Sequence, residues 1–146
     1  MDISRKTLKM LSDLFLLFFR TIFQIGSGCL IFNFYWQTRS LKVQYIILQR
    51  KMNFFHHLSN LPQNALARNV LDLMVENDLP GLVREIEEHI TKLNVTDIRQ
   101  ISKGEWKRKV SLYVTNLTKR ELLEDAKRYK KINHDELAKE PFERKD

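Results

Sequence analysis

The chain has 146 residues and a formal net charge of +7, with 43% hydrophobic and 29% charged residues. This composition is typical of one folded domain, and it excludes a wholly disordered chain and one that lies wholly within a membrane. Only four glycines and three prolines are present, which favours long helices over the many tight turns of an all-β fold. We therefore expect an all-α protein.

Residues 1–40 are expected to form an apolar N-terminal helix, a Gly26-Ser27-Gly28-Cys29 turn and a segment with Tyr35-Trp36. Apolar residues recur in the helix at steps of three and four and predict one packed face: Leu8, Leu11, Phe15, Phe18, Ile22 and Ile25. Others widen this face until it covers most of the helix: Leu14, Leu17, Phe19 and Phe23. The helix therefore needs partners on several sides, and without them apolar surface would stay bare.

The same segment allows a membrane interpretation, in which Leu11 to Tyr35 anchors the chain and residues 40–146 form a helical tail. Asp13 and Arg20 argue against it, because each would cost about 2.5 to 3.5 kcal/mol near the centre of a bilayer. The longest uninterrupted apolar run, Leu14–Phe19, is also far shorter than the roughly 20 residues that a span needs. Membrane association therefore stays as the alternative.

Residues 41–93 are expected to form three packed helices. The first carries an apolar stripe of Leu48, Met52, Phe55 and Leu58. It is expected to end at Asn60-Leu61-Pro62, since proline disfavours helical geometry in the residue before it.

Asn64 is a suitable N-cap for the second of these helices. The apolar residues of that helix are Leu66, Val70, Leu73 and Met74. Asp78-Leu79-Pro80-Gly81 then breaks the chain before a third helix. One face of the third helix carries Leu82, Val83, Ile86, Ile90 and Leu93.

Residues 94–146 are expected to form basic helices and a short tail. Ser102 and Glu105 have capping-box spacing and open a helix with a core-facing stripe of Trp106, Val110, Tyr113 and Leu117. A second capping box, Thr118 to Glu121, is expected to open another helix through Leu122, Leu123, Ala126 and Tyr129. A last short turn near residues 133–136 would complete an irregular bundle of about six to seven helices.

His56 and His57 are adjacent, so their side chains point about 100° apart on a helix and cannot hold a metal ion together. We expect one to pack and the other to meet solvent. Cys29 is the only cysteine, which excludes an internal disulfide or a cysteine-based zinc site and makes a cytoplasmic or nuclear location the default. We expect no metal or other cofactor, and no catalytic triad or carboxylate pair is recognisable.

Basic residues are concentrated in residues 99–131, which hold eleven Lys or Arg against four Asp or Glu. Cations neutralise phosphates, and an interleaved tyrosine can stack on an unpaired base. The nucleic-acid-binding candidates are therefore Lys103, Lys107, Arg108, Lys109, Lys127, Arg128, Tyr129, Lys130 and Lys131. The other interpretation is a solvated helix face, in which Glu105 pairs with Lys109 and Glu124 with Arg128.

The order of several motifs resembles the region that follows the polymerase core in reverse transcriptases of non-LTR (LINE-type) retrotransposons. These motifs are Gly26-Ser27-Gly28-Cys29, Tyr35-Trp36, Ile47-Leu48-Gln49-Arg50-Lys51, His56-His57-Leu58, Asn60-Leu61-Pro62 and Leu79-Pro80-Gly81-Leu82-Val83. The resemblance extends from about Leu11 to Lys145. The chain departs from the family's pattern where turn-forming or acidic residues are usual, at Leu30, Phe32, Gln37 and Arg39.

The resemblance implies the thumb and post-thumb region of such an enzyme. The polymerase palm would lie before Met1 and a zinc knuckle after Asp146, so the chain is expected to be a non-catalytic fragment and no enzyme by itself. It would be at most an accessory helical module that binds RNA or DNA weakly and without sequence preference, with the missing polymerase domain as a partner. A helical scaffold for another protein is a further alternative.

Overall fold

The computed structural model describes residues 4–26 and 31–128, with the backbone alone at residues 31–33 and 37. These ranges form six α-helices and a short 3-10 helix, and they contain no strand: α1 Arg5–Phe23, α2 Ile31–Thr38, α3 Val43–Ser59, α4 Leu66–Glu76, α5 Leu82–Lys92, the 3-10 helix Ile98–Gln100, and α6 Lys103–Arg128. The predicted all-α bundle is confirmed. The predicted turn at Ser27 to Cys29 and the predicted tail beyond Arg128 lie outside the described residues.

The main core is built by α3, α4, α5 and the first half of α6. Its buried residues are Leu48, Met52, Phe55, Leu71, Val83, Ile86, Trp106, Val110 and Val114. The stripe predicted for α3 is confirmed, because Leu48, Met52 and Phe55 are buried and Leu58 packs against them. Helix α3 ends at Ser59, just before the predicted break at Pro62.

Helix α4 buries a different side from the one its sequence predicted. Of the four residues predicted to face the core, Met74 packs against it, but Leu66, Val70 and Leu73 are 78%, 47% and 57% exposed, and the buried residue is Leu71. Polar contacts hold this side inward: the Arg68 guanidinium donates to the Leu61 carbonyl at 2.6 Å, and Asp72 accepts from Arg99 at 2.9 Å. Because Arg68, Leu71 and Asp72 share one helix face, the two polar contacts and the apolar contact act together.

The predicted N-cap of α4 is also wrong. The helix begins at Leu66 after Ala65, and no side chain makes a capping hydrogen bond there. Asn64 lies one residue too early for its side chain to occupy the cap position.

Helix α6 is one continuous helix of 26 residues, where two helices were predicted. Thr118 does not cap a new helix, because it is buried and its hydroxyl donates to the Val114 carbonyl one turn earlier at 2.9 Å. No glycine or proline interrupts the chain from Glu105 to Arg128, so nothing forces a break. The first predicted cap is confirmed, since the Glu105 amide donates to Ser102 Oγ at 3.3 Å.

The buried stripe of α6 winds around the helix, because its members are spaced by four: Trp106, Val110, Val114, Thr118, Leu122 and Ala126. Each step of four residues advances the side chain by about 40° beyond a full turn. Five steps therefore rotate the buried side by about 200°. The first half of α6 faces the main core, and the second half faces a separate cluster.

This second core consists of Phe34 and Tyr35 from α2 with Leu122 and Ala126 from α6. Helix α1 covers it with three half-buried side chains, Phe15, Leu16 and Phe19, and the ring centroids of Phe19 and Phe34 are 5.5 Å apart. No residue of α1 is buried. The predicted face of α1 is therefore only partly correct, since Phe15 packs but Leu11, Phe18 and Ile22 are exposed.

Most of the exposed apolar residues of α1 lie on one side, which we call the outer face: Met10, Leu14, Leu17, Phe18 and Ile22. They remain exposed because α1 is apolar on most sides, whereas the second core and the neighbouring helix α3 cover only part of it. Helix α1 ends at Phe23, and Gln24 takes a left-handed conformation, so the predicted anchor Leu11 to Tyr35 is not one helix. None of the described helices is long and apolar enough to cross a bilayer.

A polar cluster joins the start of α3 to α6 between the two cores. Lys42 Nζ donates to Glu121 Oε1 at 2.8 Å and to Asp125 Oδ2 at 3.1 Å. The Tyr45 hydroxyl and the Gln44 amide both donate to the second Glu121 oxygen. Burial raises the pKa of Tyr35 to about 12. Burial and the hydrogen bond to Glu121 raise the pKa of Tyr45 to about 12 as well.

Candidate nucleic-acid interface

The predicted phosphate-binding residues do not form one surface. Lys103 and Lys107 line a cavity between α3 and α6, whereas Arg108 and Lys109 line a shallow depression on another side of α6. Lys109 Nζ lies 3.9 Å from Glu105 Oε1, which confirms the predicted pair.

The second predicted group lies at the far end of the helix. Lys127 is 20 residues after Lys107, which corresponds to about 30 Å along the helix axis. Arg128 Nη1 lies 4.0 Å from Asp125 Oδ1. Tyr129, Lys130 and Lys131 lie outside the described residues. A ligand at Lys103 and Lys107 would therefore have to extend by several nucleotides to reach this end.

The cavity beside Lys103 and Lys107 has a volume of about 490 Å³. Three elements build it: the second half of α3, the segment around the 3-10 helix, and the first turns of α6. We call it the Trp106 cavity, and its lining residues are Asn53, His56, His57, Asn60, Arg99, Gln100, Ile101, Ser102, Lys103, Trp106 and Lys107. No acidic residue is among them, so the cavity suits an anionic or electron-rich ligand.

A stacked ring pair forms the inner wall of the Trp106 cavity. The rings of His56 and Trp106 are 5.1 Å apart and inclined by only 13°. His56 Nε2 lies 3.0 Å from the Ile101 carbonyl, and because a carbonyl oxygen only accepts, this nitrogen carries the proton. His56 is buried and His57 is exposed, which confirms the prediction that one of the two would pack.

Two residues that line the Trp106 cavity each contain a buried polar atom with no hydrogen-bond partner within the described ranges. These atoms are the indole Nε1 of Trp106, a donor, and Oδ1 of Asn53, an acceptor. An unsatisfied buried polar group costs about 1 to 3 kcal/mol, so such groups are rare and call for an explanation. Both atoms are shielded from solvent, so a ligand in the cavity would reach them only if neighbouring side chains moved.

Cationic side chains surround the opening of the cavity. Lys103 and Lys107 are exposed, and neither has an ion-pair partner among residues 4–26 and 31–128. Their spacing of four places both on the same side of α6. Arg99 differs, since its Nη2 is held by Asp72 Oδ1 at 2.9 Å. The two lysines are thus the cations most available to a phosphate.

Sequence reasoning missed Asn53, His57 and Arg99, because these residues come from elements that only the fold brings to α6. Asn53 and His57 are four residues apart and therefore lie on one side of α3, away from Met52 and Phe55. This spacing was the one sequence feature that could have indicated a shared polar surface. Nothing in the sequence places Arg99 beside them.

No part of the described chain brings together three or more His, Cys, Asp or Glu side chains that could hold a metal ion. Comparison with protein-family models, curated proteins and solved structures found no match to this chain. The function is therefore inferred from the geometry of the Trp106 cavity and from the ordered motifs between Gly26 and Val83.

Proposed function

We propose that this protein is an accessory nucleic-acid-binding module, which contacts RNA or DNA weakly and without sequence preference through Lys103 and Lys107. The observation that carries the proposal is the Trp106 cavity, which has two unpaired lysines at its opening and no acidic lining residue. Lysines that contact phosphates release counterions, so binding should weaken strongly as salt rises.

We also propose that the chain derives from the thumb and post-thumb region of a LINE-type reverse transcriptase and has no catalytic activity of its own. The ordered motifs from Gly26 to Val83 support this origin, and an all-α fold is compatible with it. In this proposal the polymerase chemistry belongs to a separate domain, which would be the natural partner of the module.

Fluorescence anisotropy with a labelled 20-nucleotide RNA at 50 and 200 mM salt tests the binding proposal. The variant Lys103→Ala/Lys107→Ala removes two cations from the cavity, and Arg108→Ala/Lys109→Ala removes two from the opposite side of the same helix turn. The first should reduce affinity and lower the slope of log K against log salt by about 1.4, since each phosphate contact on a single strand contributes about 0.7. The second should change both values less.

Two results would overturn the proposal. One is undetectable binding at 50 mM salt, and the other is an affinity that does not change with salt. Equal effects of the two double variants would show that net charge, and not the Trp106 cavity, determines binding.

A second candidate function is a helical scaffold that binds another protein, and the exposed outer face of α1 favours it. Leu14, Leu17 and Phe18 are each about 60% exposed, and side chains of this size are seldom left bare in a group. Light scattering over a range of concentrations tests this face. Without a partner to cover this face, the wild-type chain should self-associate and Leu14→Glu/Leu17→Glu should not, whereas a wild-type chain that stays monomeric would remove the support.

A further inference from the structure

Helix α1 has three sides around its axis. At about 100° per residue, the side chains that pack on the second core lie away from Leu14 and Leu17 of the outer face. The outer face covers an arc of roughly 140°, and a polar side borders it next to Leu17. The residues of this polar side are Lys6, Lys9, Asp13 and Arg20. Helix α1 can therefore bring its outer face against a partner without leaving the second core.

The partner of the outer face also meets positive charge. Four cations stand against the single acidic residue of α1, Asp13. These cations are Arg5, Lys6, Lys9 and Arg20. None of them forms an ion pair within residues 4–26 and 31–128, and the first three are exposed. The surface thus suits a partner that is apolar inside and anionic at its boundary.

Helix α4 provides a contrast, because it also exposes apolar side chains, among them Leu66 and Leu73. Its sequence holds one cation, Arg68, against two acidic residues. The guanidinium of Arg68 lies 3.6 Å from a carboxylate oxygen of Asp72. Of the two exposed apolar faces, only that of α1 lies beside unpaired positive charge.

We infer that α1 lies flat on an anionic lipid surface, with the outer face among the acyl chains and the cations at the headgroups. A helix with one apolar side and Lys or Arg beside it binds bilayers in this way and enters by about 5 to 10 Å. The long cationic side chains keep their charges in water while their methylene groups stay in apolar surroundings. This surface is separate from the proposed nucleic-acid site, which lies on α3 and α6.

A second copy of the chain covers the outer face less well. In an antiparallel pair of α1 helices joined by their outer faces, the cationic sides of the two copies meet. Lys6 and Lys9 of one copy then approach Arg20 of the other, and like charges brought together cost free energy. An anionic bilayer instead places the same cations beside phosphate and carboxylate groups. We therefore expect anionic lipid to disperse any self-association of the chain in water.

Co-sedimentation of the full chain with lipid vesicles tests the inference. Vesicles of phosphatidylcholine alone are compared with vesicles that also contain about 30% phosphatidylserine, at 50 and 200 mM salt. The wild-type chain should bind the anionic vesicles at least about tenfold more tightly, since each cation near such a surface raises affinity by a factor of about five. The difference should shrink at the higher salt concentration.

One pair of variants tests the apolar contact. Leu14→Gln/Leu17→Gln removes two apolar side chains without changing the charge, and it should weaken binding to anionic vesicles about tenfold or more. Leu66→Gln/Leu73→Gln makes the same change on α4 and should bind as the wild type does. Circular dichroism checks that both variants keep their helix content, which is expected because all four leucines are exposed.

A second pair of variants tests the charge. Lys6→Gln/Lys9→Gln should weaken binding to anionic vesicles about tenfold or more and should leave binding to neutral vesicles unchanged. Arg108→Gln/Lys109→Gln lowers the net charge by the same amount on α6, and its effect should be smaller. Equal effects of the two would mean that net charge alone determines binding and would overturn the inference.

Fluorescence quenching by lipids brominated in their acyl chains detects insertion directly. Leu14→Trp places a fluorophore on the outer face, and Leu112→Trp places one on α6 at a leucine of similar exposure, 63% against 60%. The emission of the wild-type chain corrects for Trp36 and Trp106. Bromolipid should quench the first variant strongly and the second little.

Several results contradict a lipid-binding α1 and leave the proposed function standing. They are the absence of binding to either kind of vesicle, equal binding to both kinds, and binding that survives Leu14→Gln/Leu17→Gln. Equal quenching of Leu14→Trp and Leu112→Trp would also rule out insertion of the outer face. A wild-type chain that stays associated in the presence of anionic vesicles, by light scattering, would show that a second copy covers this face instead.

Discussion

The two cores of this protein differ in depth although their sequences are similarly apolar. In the main core Met52, Ile86 and Val110 are fully buried, because four helices surround them. In the second core the described residues include four that are buried, and α1 adds only half-buried side chains. An apolar helix therefore gains burial only where partners exist on the sides that its sequence makes apolar.

Helix α6 is the element that both cores share. Its buried residues follow one another at steps of four, so the buried side turns from the main core to the second core along its length. A stripe at alternating steps of three and four would stay on one side and would serve only one core. The four-residue spacing of the buried residues in α6 thus places Leu122 and Ala126 on the side where the second core forms.

The largest expected effect on stability is that of replacing a methionine by alanine in the main core, compared with the same replacement in α1. Met52→Ala should lower the free energy of unfolding by about 2 to 5 kcal/mol, because Met52 is fully buried and its loss leaves a cavity. Met10→Ala in α1 should change it by less than about 0.5 kcal/mol, since Met10 is 58% exposed. Urea denaturation measures both. Equal losses would mean that α1 is buried against something in solution.

Replacing Lys42 tests how much the polar cluster between the two cores contributes to stability. Lys42→Met leaves the carboxylates of Glu121 and Asp125 one turn apart without their shared cation, and it should cost about 1 to 3 kcal/mol. The matched control is Lys51→Met, because Lys51 is similarly buried but contacts a single carboxylate, that of Glu85. That control should cost about 1 kcal/mol or less. A larger effect at Lys51 would contradict the importance of the junction.

The tyrosines at the same junction predict loss of stability in alkali. In the unfolded chain a tyrosine ionises near pH 10, whereas the folded pKa values of Tyr35 and Tyr45 are about 12. Their contribution is therefore fully present below about pH 10 and is lost as the pH rises to about 12, because the unfolded state releases its protons first.

The variant Tyr45→Phe separates this effect from other alkaline changes. It should be less stable than wild type at pH 8, where it lacks the hydrogen bond to Glu121, and the difference should shrink at pH 11. Thermal unfolding at the two pH values measures this. A difference that stays constant or grows would contradict the raised pKa.

Helix α3 shows what the sequence could predict. Its apolar stripe faces the main core, so the pattern and the burial agree, and the same reasoning found Trp106, Val110 and the packing of one histidine. Helix α4 shows the limit. Its apolar residues fit two faces, and the choice depends on the contacts of Arg68 with Leu61 and of Asp72 with Arg99, which only the fold creates.

The candidate site was predictable only in part for the same reason. Lys103 and Lys107 could be found as basic residues on a helix, but the division of Lys107 from its neighbours Arg108 and Lys109 depends on which side of α6 meets the core. The cavity itself has walls from α3 and from the 3-10 helix segment. A sequence pattern within α6 contains no information about them.

The smallest expected effect lies at Thr118, between the two cores, where the predicted and observed structures of α6 differ most sharply. A threonine that capped a helix would cost about 1 kcal/mol on replacement by valine, because a backbone donor would lose its acceptor. In the continuous helix its hydroxyl donates to a Val114 carbonyl that already accepts within the helix, and the side chain is buried. Thr118→Val should therefore change the free energy of unfolding by less than about 0.5 kcal/mol, since a methyl group of similar shape removes a buried polar atom without leaving a partner unsatisfied.

Urea denaturation and helix content by circular dichroism measure the effect, and Thr118→Gly is the control, because glycine should cost about 1 kcal/mol or more in a helix interior. A loss of 1 kcal/mol or more in the valine variant would indicate that α6 breaks at Thr118, and the two cores would then be joined by a turn instead of one winding helix.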